Sequence, residues 1–224
     1  MNKEDDLLEG LVLIIPALNE QEAISEIVRA CKKVADVIVV DDGSSDGTGE
    51  LAKHAGAQVI RHEINRGYDS ALESGIRAGH NLGYRYAITL DGDGQHNPTS
   101  IAAFYQKLLL GADIVCGIRD RKQRVLEVLF SWMGVICFGV KDPLSGLKGY
   151  NLRLREIVEP FNTYNSAGSE LLIRAASRGA LIAQVEVPTL SRKGGNSRFG
   201  SGLKVNWILT KALCKSFLIR LQSR

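Results

Sequence analysis

The feature that most restricts what this chain can fold into is a repeated alternation of short, wholly apolar runs with segments of helical spacing. "LVLIIPA" (residues 11–17) is the first run, and "QEAISEIVRACKKV" behind it sets Ala23, Ile24, Ile27 and Val28 on one helical face. "DVIVVDDGSS" opens a second strand, and "DGTGELAKHAG" goes on as a helix that Gly56 closes. "AQVIRH" reads as a third strand, "YDSALESGIRAGHNLG" as a helix, and "YAITLDGDG" as a fourth strand. "PTSIAAFYQKLLLG" is the next helix, with Pro98 at its start, and "ADIVCGIR" a fifth strand. A strand wetted on one face alternates polar and apolar residues; these do not. The expected fold is therefore α/β, a mostly parallel sheet with helices on both faces.

Composition narrows the class. The chain has 224 residues, 45% of them hydrophobic, enough for one sizeable core with or without an appendage. No internal repeat is found. Its formal net charge of +3 is spread along the chain without interleaved aromatics, so nucleic acid is not an expected partner. The four cysteines lie far apart with no metal-type pair, and read as core or incidental thiols of a reducing compartment. "MNKEDDLLEG" at the start is acidic and lacks an apolar signal region, so export is not expected. The longest weakly charged run, residues 128–140, falls short of the roughly 20 apolar residues needed to cross a bilayer.

In a parallel sheet, ligands sit beyond the carboxyl ends of the strands. The loops there read "PALNE", "DDGSSDGT", "NRG", "DGDGQH" and "GIRDR". No GxGxxG follows the first strand and no GxxxxGK[ST] occurs, which removes the main support for dinucleotide and P-loop readings. "GSSDGTG" by itself is more readily turn chemistry than a phosphate cradle. Acid at strand ends is the informative feature. Asp91 and Asp93, with Gly92 between them, can bring two carboxylates and the amide oxygen of Gln95 toward one point. Such hard oxygen donors suit Mg2+ or Mn2+ shared with phosphate oxygens; the alternative for this loop alone is a solvated Asp-Gly turn.

The loops are also ordered. P-x-x-N-E, then VVDDGSSDGT, N-x-G before a helix, D-x-D with a trailing Q-H, and G-x-R together resemble the family 2 glycosyltransferases of the GT-A fold. Within these the chain is similar to the dolichol-phosphate mannosyltransferases and bacterial polyprenyl-phosphate glycosyltransferases. "DPLSGLKGYN" (142–151) is similar to that branch's D-P-x-S-G-F-K segment, and "VPTLSRKGGNSRFG" (187–200) to its E-V-P…R-x-x-G-x-S-K ending. The likeness runs from about Leu11 to Arg198. It implies a Rossmann-like GT-A catalytic domain over residues 1–200, followed by a carboxyl-terminal amphipathic helix over 201–224.

Site roles follow from the resemblance. Pro16, Leu18 and Glu20 match the nucleoside pocket, and Asp41 and Asp42 the acids that contact base or ribose; Asn65 and Gly67 of N-x-G belong to the same donor-binding set. Glu20 alternatively caps the following helix. Asp91, Gly92, Asp93 and Gln95 match the metal-binding D-x-D-x-Q, with Asp93 also placed among the catalytic residues, whereas His96 is read as ordering the loop. Arg119, and less directly Arg124, would give forked donors to phosphate oxygens, while Arg121 and Lys122 are equally a solvated cluster. Arg192, Ser197 and Arg198 match the ending that grips phosphate, with Arg198 where the family has Lys, and Gly194 and Gly195 fit a mobile loop. Asp142 and Glu170 match acidic positions able to touch sugar hydroxyls or act as a base; Glu170 alternatively sits as a charge at a helix N-terminus.

The resemblance implies a metal-dependent enzyme that moves a sugar from a UDP- or GDP-linked donor to a polyprenyl or dolichyl phosphate. A phosphate monoester, with a second pKa of about 6, is already an anionic nucleophile at neutral pH, so positive charge matters more than a base. Direct displacement with inversion is expected. The alternatives are a saccharide acceptor in surface polysaccharide synthesis, and, in another class, a sugar-nucleotide-binding module or a nucleotidyltransferase. A pyrophosphorylase would open with a glycine- and arginine-rich loop, which "PALNE" is not. "RVLEVLFSWMGVICFGV" reads as an interfacial helix, and residues 203–224 as a basic amphipathic helix or an ordinary core-packing one. The expected location is the cytoplasmic face of a membrane, reached peripherally or through a membrane protein partner.

Overall fold

The computed structural model of the chain describes residues 7–91, 100–120, 125–154 and 169–188, with backbone alone at 125–127, 129, 130 and 170. The elements run β1 (Leu11–Ala17), α1 (Ile24–Cys31), β2 (Asp36–Asp41), α2 (Thr48–His54), β3 (Gln58–Arg61), α3 (Tyr68–Asn81), β4 (Tyr86–Thr89) and α4 (Ile101–Leu109). After these come β5 (Ile114–Arg119), α5 (Val125–Phe138), β6 (Lys148–Asn151), α6 (Glu170–Ser177) and β7 (Ile182–Val187).

The seven strands form one sheet in the order β3-β2-β1-β4-β6-β5-β7. β1 pairs in parallel with β2 and β4, β2 with β3, and β5 with β7. β6 runs antiparallel between β4 and β5. The sheet is thus mostly parallel, as the apolar runs require, and the five expected strands are all present. β6 and β7 are additions. "KGYN" offers no apolar run to announce a strand, because a lysine and a glycine fill half of it.

Every residue of β1 is buried, since both faces of the sheet are covered. Leu11, Leu13 and Ile15 cluster with Ile24 and Val28 of α1, Ala52 of α2, and Phe104 and Leu108 of α4. Val12 and Ile14 cluster with Ala71, Leu72 and Ile76 of α3 and with Leu171, Leu172 and Ala175 of α6. Burying each such aliphatic side chain is worth roughly 1.5–3 kcal/mol, so these two layers fix the sheet order. α3 lies hard against β1: a Cβ on Gly75 would come within 2.4 Å of Ile14 Cγ2. That close approach sets the start of α3, and with it Tyr68, beside the carboxyl ends of β1 and β2.

Among the described residues no helix is long and apolar enough to cross a membrane. Cys31, Cys116 and Cys137 are free thiols, the first two buried, in keeping with core or incidental cysteines. Residues 201–224 lie outside the described residues.

Candidate active site

Three loops converge at the carboxyl ends of β1 and β2. Asn19 of "PALNE" has φ 53°, a left-handed conformation that Asn tolerates better than most residues. It latches onto the second loop: its N–H donates to Ser44 Oγ at 2.9 Å, and its Oδ1 accepts from the Ser45 N–H at 2.9 Å. The Glu20 N–H donates to Thr48 Oγ1 at 2.8 Å. The third loop is admitted by Gly43, whose φ is +75° and where a Cβ would stand 2.7 Å from Asn65 N. Only glycine meets both conditions.

Between these loops lies a cavity of about 170 Å3. Pro16, Leu18, Asp42, Asn65 and Gly67 line it together with Ala17, Tyr68 and Ala71. Five of the seven residues expected to seat a nucleoside are thereby brought to one place. The other two are not in the lining. Glu20 takes up the turn before α1, its carbonyl accepting from the Ala23 and Ile24 N–H groups at 3.1 and 2.9 Å. Asp41 is fully buried behind the cavity, where Oδ1 accepts from Ser44 N–H at 2.9 Å and Oδ2 stands 3.7 Å from Arg61 Nε.

Asp91 follows β4. Its Oδ1 accepts from the Tyr68 hydroxyl at 3.2 Å, so the ring that lines the cavity also touches this carboxylate. Burial and the negative charge of Asp91 push the Tyr68 pKa well above its ordinary value, which keeps the hydroxyl a donor. The carboxylate rests on Gly146, where a Cβ would come within 2.1 Å of Oδ2. Asp91 is a hard oxygen donor at a strand end and fits a divalent cation. Gly92, Asp93, Gln95 and His96 lie outside the described residues, and among the described residues no three metal-type side chains assemble.

Beyond β5, Asp142, a candidate to touch sugar hydroxyls or act as a base, and Arg119, an expected phosphate ligand, are found paired with each other. Arg119 Nε donates to Asp142 Oδ2 at 2.8 Å, Nη2 to Oδ1 at 3.0 Å, and the Arg119 N–H to Oδ2 at 3.2 Å. Asp142 is 1% exposed. A carboxylate held in this fork orients the guanidinium. Lys148, also buried, donates its ammonium to the Ser145 carbonyl. Burial lowers its pKa, and the nearby carboxylates of Asp142 and Asp91 oppose that. Cys116 Sγ contacts the Asp142 carbonyl at 3.1 Å, and burial drives its thiol up to about 12.

A groove of about 750 Å3 opens next to this pair, lined by Ile118, Arg119, Asp120, Ser131, Trp132, Val135, Ile136 and Lys141. Trp132 and Ile136 of α5 are 67% and 75% exposed along it. Glu170 opens α6, but its side chain, like Arg121, Lys122, Arg124, Arg192, Lys193, Gly194, Gly195, Ser197 and Arg198, lies outside what is described. Sequence reasoning missed Tyr68 and Lys148. The former follows N-x-G directly, and the latter is the single cation of "DPLSGLKGYN"; both signals were present.

The chain matches the family model described as "Glycosyl transferase family 2" over residues 12–132, more than half its length. A dolichyl-phosphate hexose transferase of Haloferax volcanii is 29% identical over 199 residues, covering 83% of this chain and 85% of that protein. The polyprenol monophosphomannose synthase of Mycolicibacterium smegmatis is 27% identical over 220 residues, covering 86% and 82%. Among solved structures, glucosyl-3-phosphoglycerate synthase from Mycobacterium tuberculosis, in complex with Mn2+, UDP-glucose and phosphoglyceric acid, superposes with a TM-score of 0.76. At 21% identity, over 95% of this chain and 79% of that one, it shares the fold.

Proposed function

Because the chain belongs to glycosyl transferase family 2, whose members move sugars, we propose that it carries a sugar from a nucleoside diphosphate donor to the phosphate of a polyprenyl-type lipid. The observation that carries this reading is one hydrogen bond. Tyr68 lines the small cavity at the ends of β1 and β2 and donates to Asp91, so a nucleoside seated there has its diphosphate beside the carboxylate. Asp91, with Asp93 and Gln95, would hold Mg2+ or Mn2+, which when bound neutralises charge on the departing diphosphate. Neither Asp142 nor any other described group is required as a base, because the acceptor phosphate is itself the nucleophile; inversion at the anomeric carbon follows from single displacement.

The acceptor fits the groove along α5. Arg119, held by Asp142, and Lys141 place cationic donors at its rim beside Asp120, and Trp132, Val135 and Ile136 offer an apolar wall to an isoprenoid chain. The names of the Haloferax volcanii and Mycolicibacterium smegmatis relatives support that choice. Arg124, Arg192, Ser197 and Arg198 would add phosphate contacts, Glu170 would touch the sugar, and residues 201–224 would rest on the membrane surface as a segment apart from the catalytic domain.

The test is a transfer assay with radiolabelled UDP- and GDP-sugars, Mn2+, Mg2+ or chelator, and three acceptors: a polyprenyl phosphate, the matching polyprenol and an oligosaccharide. Metal-dependent labelling of the polyprenyl phosphate alone, with an inverted anomer, is expected. Labelling of the oligosaccharide in its place would overturn the acceptor assignment, and a retained anomer the single displacement.

A further inference from the structure

From the wall of the donor cavity, Asp42 leads into a buried line of three polar side chains, of which the proposed chemistry leaves His62 and Ser74 unused. His62, just past β3, is 6% exposed, Asp42 4% and Ser74 of α3 7%. His62 Nδ1 stands 2.7 Å from Asp42 Oδ1, and Nε2 stands 3.0 Å from Ser74 Oγ. A carboxylate oxygen only accepts, so Nδ1 carries the hydrogen of the first bond.

Asp42 is held from the other side by backbone. Its Oδ1 accepts from the Arg66 N–H at 2.9 Å and its Oδ2 from the Gly67 N–H at 2.8 Å, the two amides that lead into α3. A carboxylate has about four acceptor positions. Among the described residues Oδ1 has both of its positions filled and Oδ2 one of two, which leaves a single Oδ2 position in a residue that lines the cavity. His62, the only side chain among those three donors, fills the second Oδ1 position, which would otherwise be open as well. Arg61, the neighbouring cation, is turned elsewhere, toward Asp41 and the Ser44 carbonyl. The same imidazole anchors its own loop, since Glu63, Ile64, Asn65 and Arg66 are all exposed while Asn65 and Gly67 belong to the cavity wall.

We infer that His62 is a positioning residue for donor recognition: through Nδ1 it locks the Asp42 carboxylate so that one Oδ2 lone pair faces the nucleoside, with Ser74 fixing the ring. It touches neither sugar nor phosphate. Its signature is therefore in donor affinity, with turnover at saturation unchanged. The inference rests on the proposed donor reading, and the experiment separates the two.

Calorimetric titration of UDP and GDP with Mn2+ into wild type, His62→Leu, His62→Asn and His62→Gln is read alongside donor KM and kcat, well below each variant's Tm. His62→Leu is expected to weaken nucleotide binding and raise donor KM about tenfold, the worth of one charge-assisted hydrogen bond, with kcat within about twofold. Asn carries an N–H donor where Nδ1 stands and recovers most of the affinity; Gln, whose amide reaches toward the Nε2 side, does not. A purely structural role would lower Tm and leave KM in place. If wild type binds and His62→Leu binds as well, or, should Leu not fold, if Gln matches Asn, the inference is overturned and the donor reading stands. If wild type binds neither nucleotide, the donor reading falls and His62 loses its role with it.

Discussion

Removing the carboxylate of Asp142 is the sharpest perturbation of the rim beyond β5. Its side chain is 2% exposed and takes three donors from one residue, while Arg119 is 19% exposed. Deleting one partner of a buried pair costs about 3–5 kcal/mol, because the other charge is left desolvated. The guanidinium keeps some water, so Asp142→Ala belongs near about 3 kcal/mol, the lower end of that range. For a domain of this size each kcal/mol moves Tm by about 2–4 °C, giving a fall of about 6–12 °C. Replacing both partners with apolar residues, Arg119→Met with Asp142→Leu, should return much of that loss, since no buried charge then remains unpaired. Thermal denaturation of wild type, Arg119→Met, Asp142→Leu and the double variant should give a coupling of at least about 2 kcal/mol. Turnover is measured on the same proteins. If Asp142 acts only through Arg119, each single variant loses activity by a similar factor and the double variant by no more. Multiplied losses would give Asp142 a task of its own, and stabilities that simply add would refute the pairing.

Three further outcomes are expected. Gly146→Ala sets a methyl within 2.1–2.6 Å of the Asp91 carboxylate, and a displacement of about 1 Å at such a site costs roughly a hundredfold in rate; metal-dependent transfer at wild-type rate would contradict the contact. Tyr84 is pushed from 10 to about 12 by burial and by its hydrogen bond to Asp36. A raised folded pKa gives stability that is complete below pH 10 and vanishes as pH climbs through about 12, so Tyr84→Phe should flatten the plot of Tm against pH in that window. An unchanged slope would count against the shift. Cys31 and Cys116 are buried with thiols driven to about 12, so peptide mapping after alkylation near neutral pH should find Cys137 modified well before either.

Much of this architecture could be read from the chain alone, for a definite reason. A strand buried on both faces has no room for polar residues, and β1, β2 and the body of β5 announce themselves by that exclusion. Loops at strand ends gather because the strands are parallel, which is why Pro16, Leu18, Asp42, Asn65 and Gly67 meet although 51 positions separate the first from the last. Pairing among polar side chains is not periodic and leaves no such trace. Nothing in "GIRDR" or "DPLSG" says that Arg119 and Asp142 will bind each other, and nothing in "DDG" says which carboxylate lines the cavity and which is shut behind it. The same holds for Gly43 against Asn65 and Gly146 against Asp91: their small size is visible in the sequence and their neighbours are not.

The antiparallel β6 explains how the second half of the site is assembled. In a wholly parallel sheet, a strand between β4 and β5 would bring its last residues to the active edge and its first to the far pole. β6 reverses this. Its first residue, Lys148, lies opposite Thr89 at the end of β4 and opposite Cys116 in β5, so the segment leading into it, Asp142 to Leu147, is laid across the carboxyl ends of both. Thr89 Oγ1 fastens that segment by donating to the Gly146 carbonyl at 2.9 Å, directly under Asp91. One reversal thus delivers the carboxylate that orients Arg119, the glycine on which Asp91 rests and the buried ammonium of Lys148. Among the described residues, the carboxylates Asp91, Asp120 and Asp142 are matched in number by Arg119, Lys141 and Lys148. A divalent cation entering this rim would add charge that nothing described offsets, and a diphosphate arriving with it restores the balance. If the proposed function holds, cation and donor should bind as one unit, each raising the affinity of the site for the other.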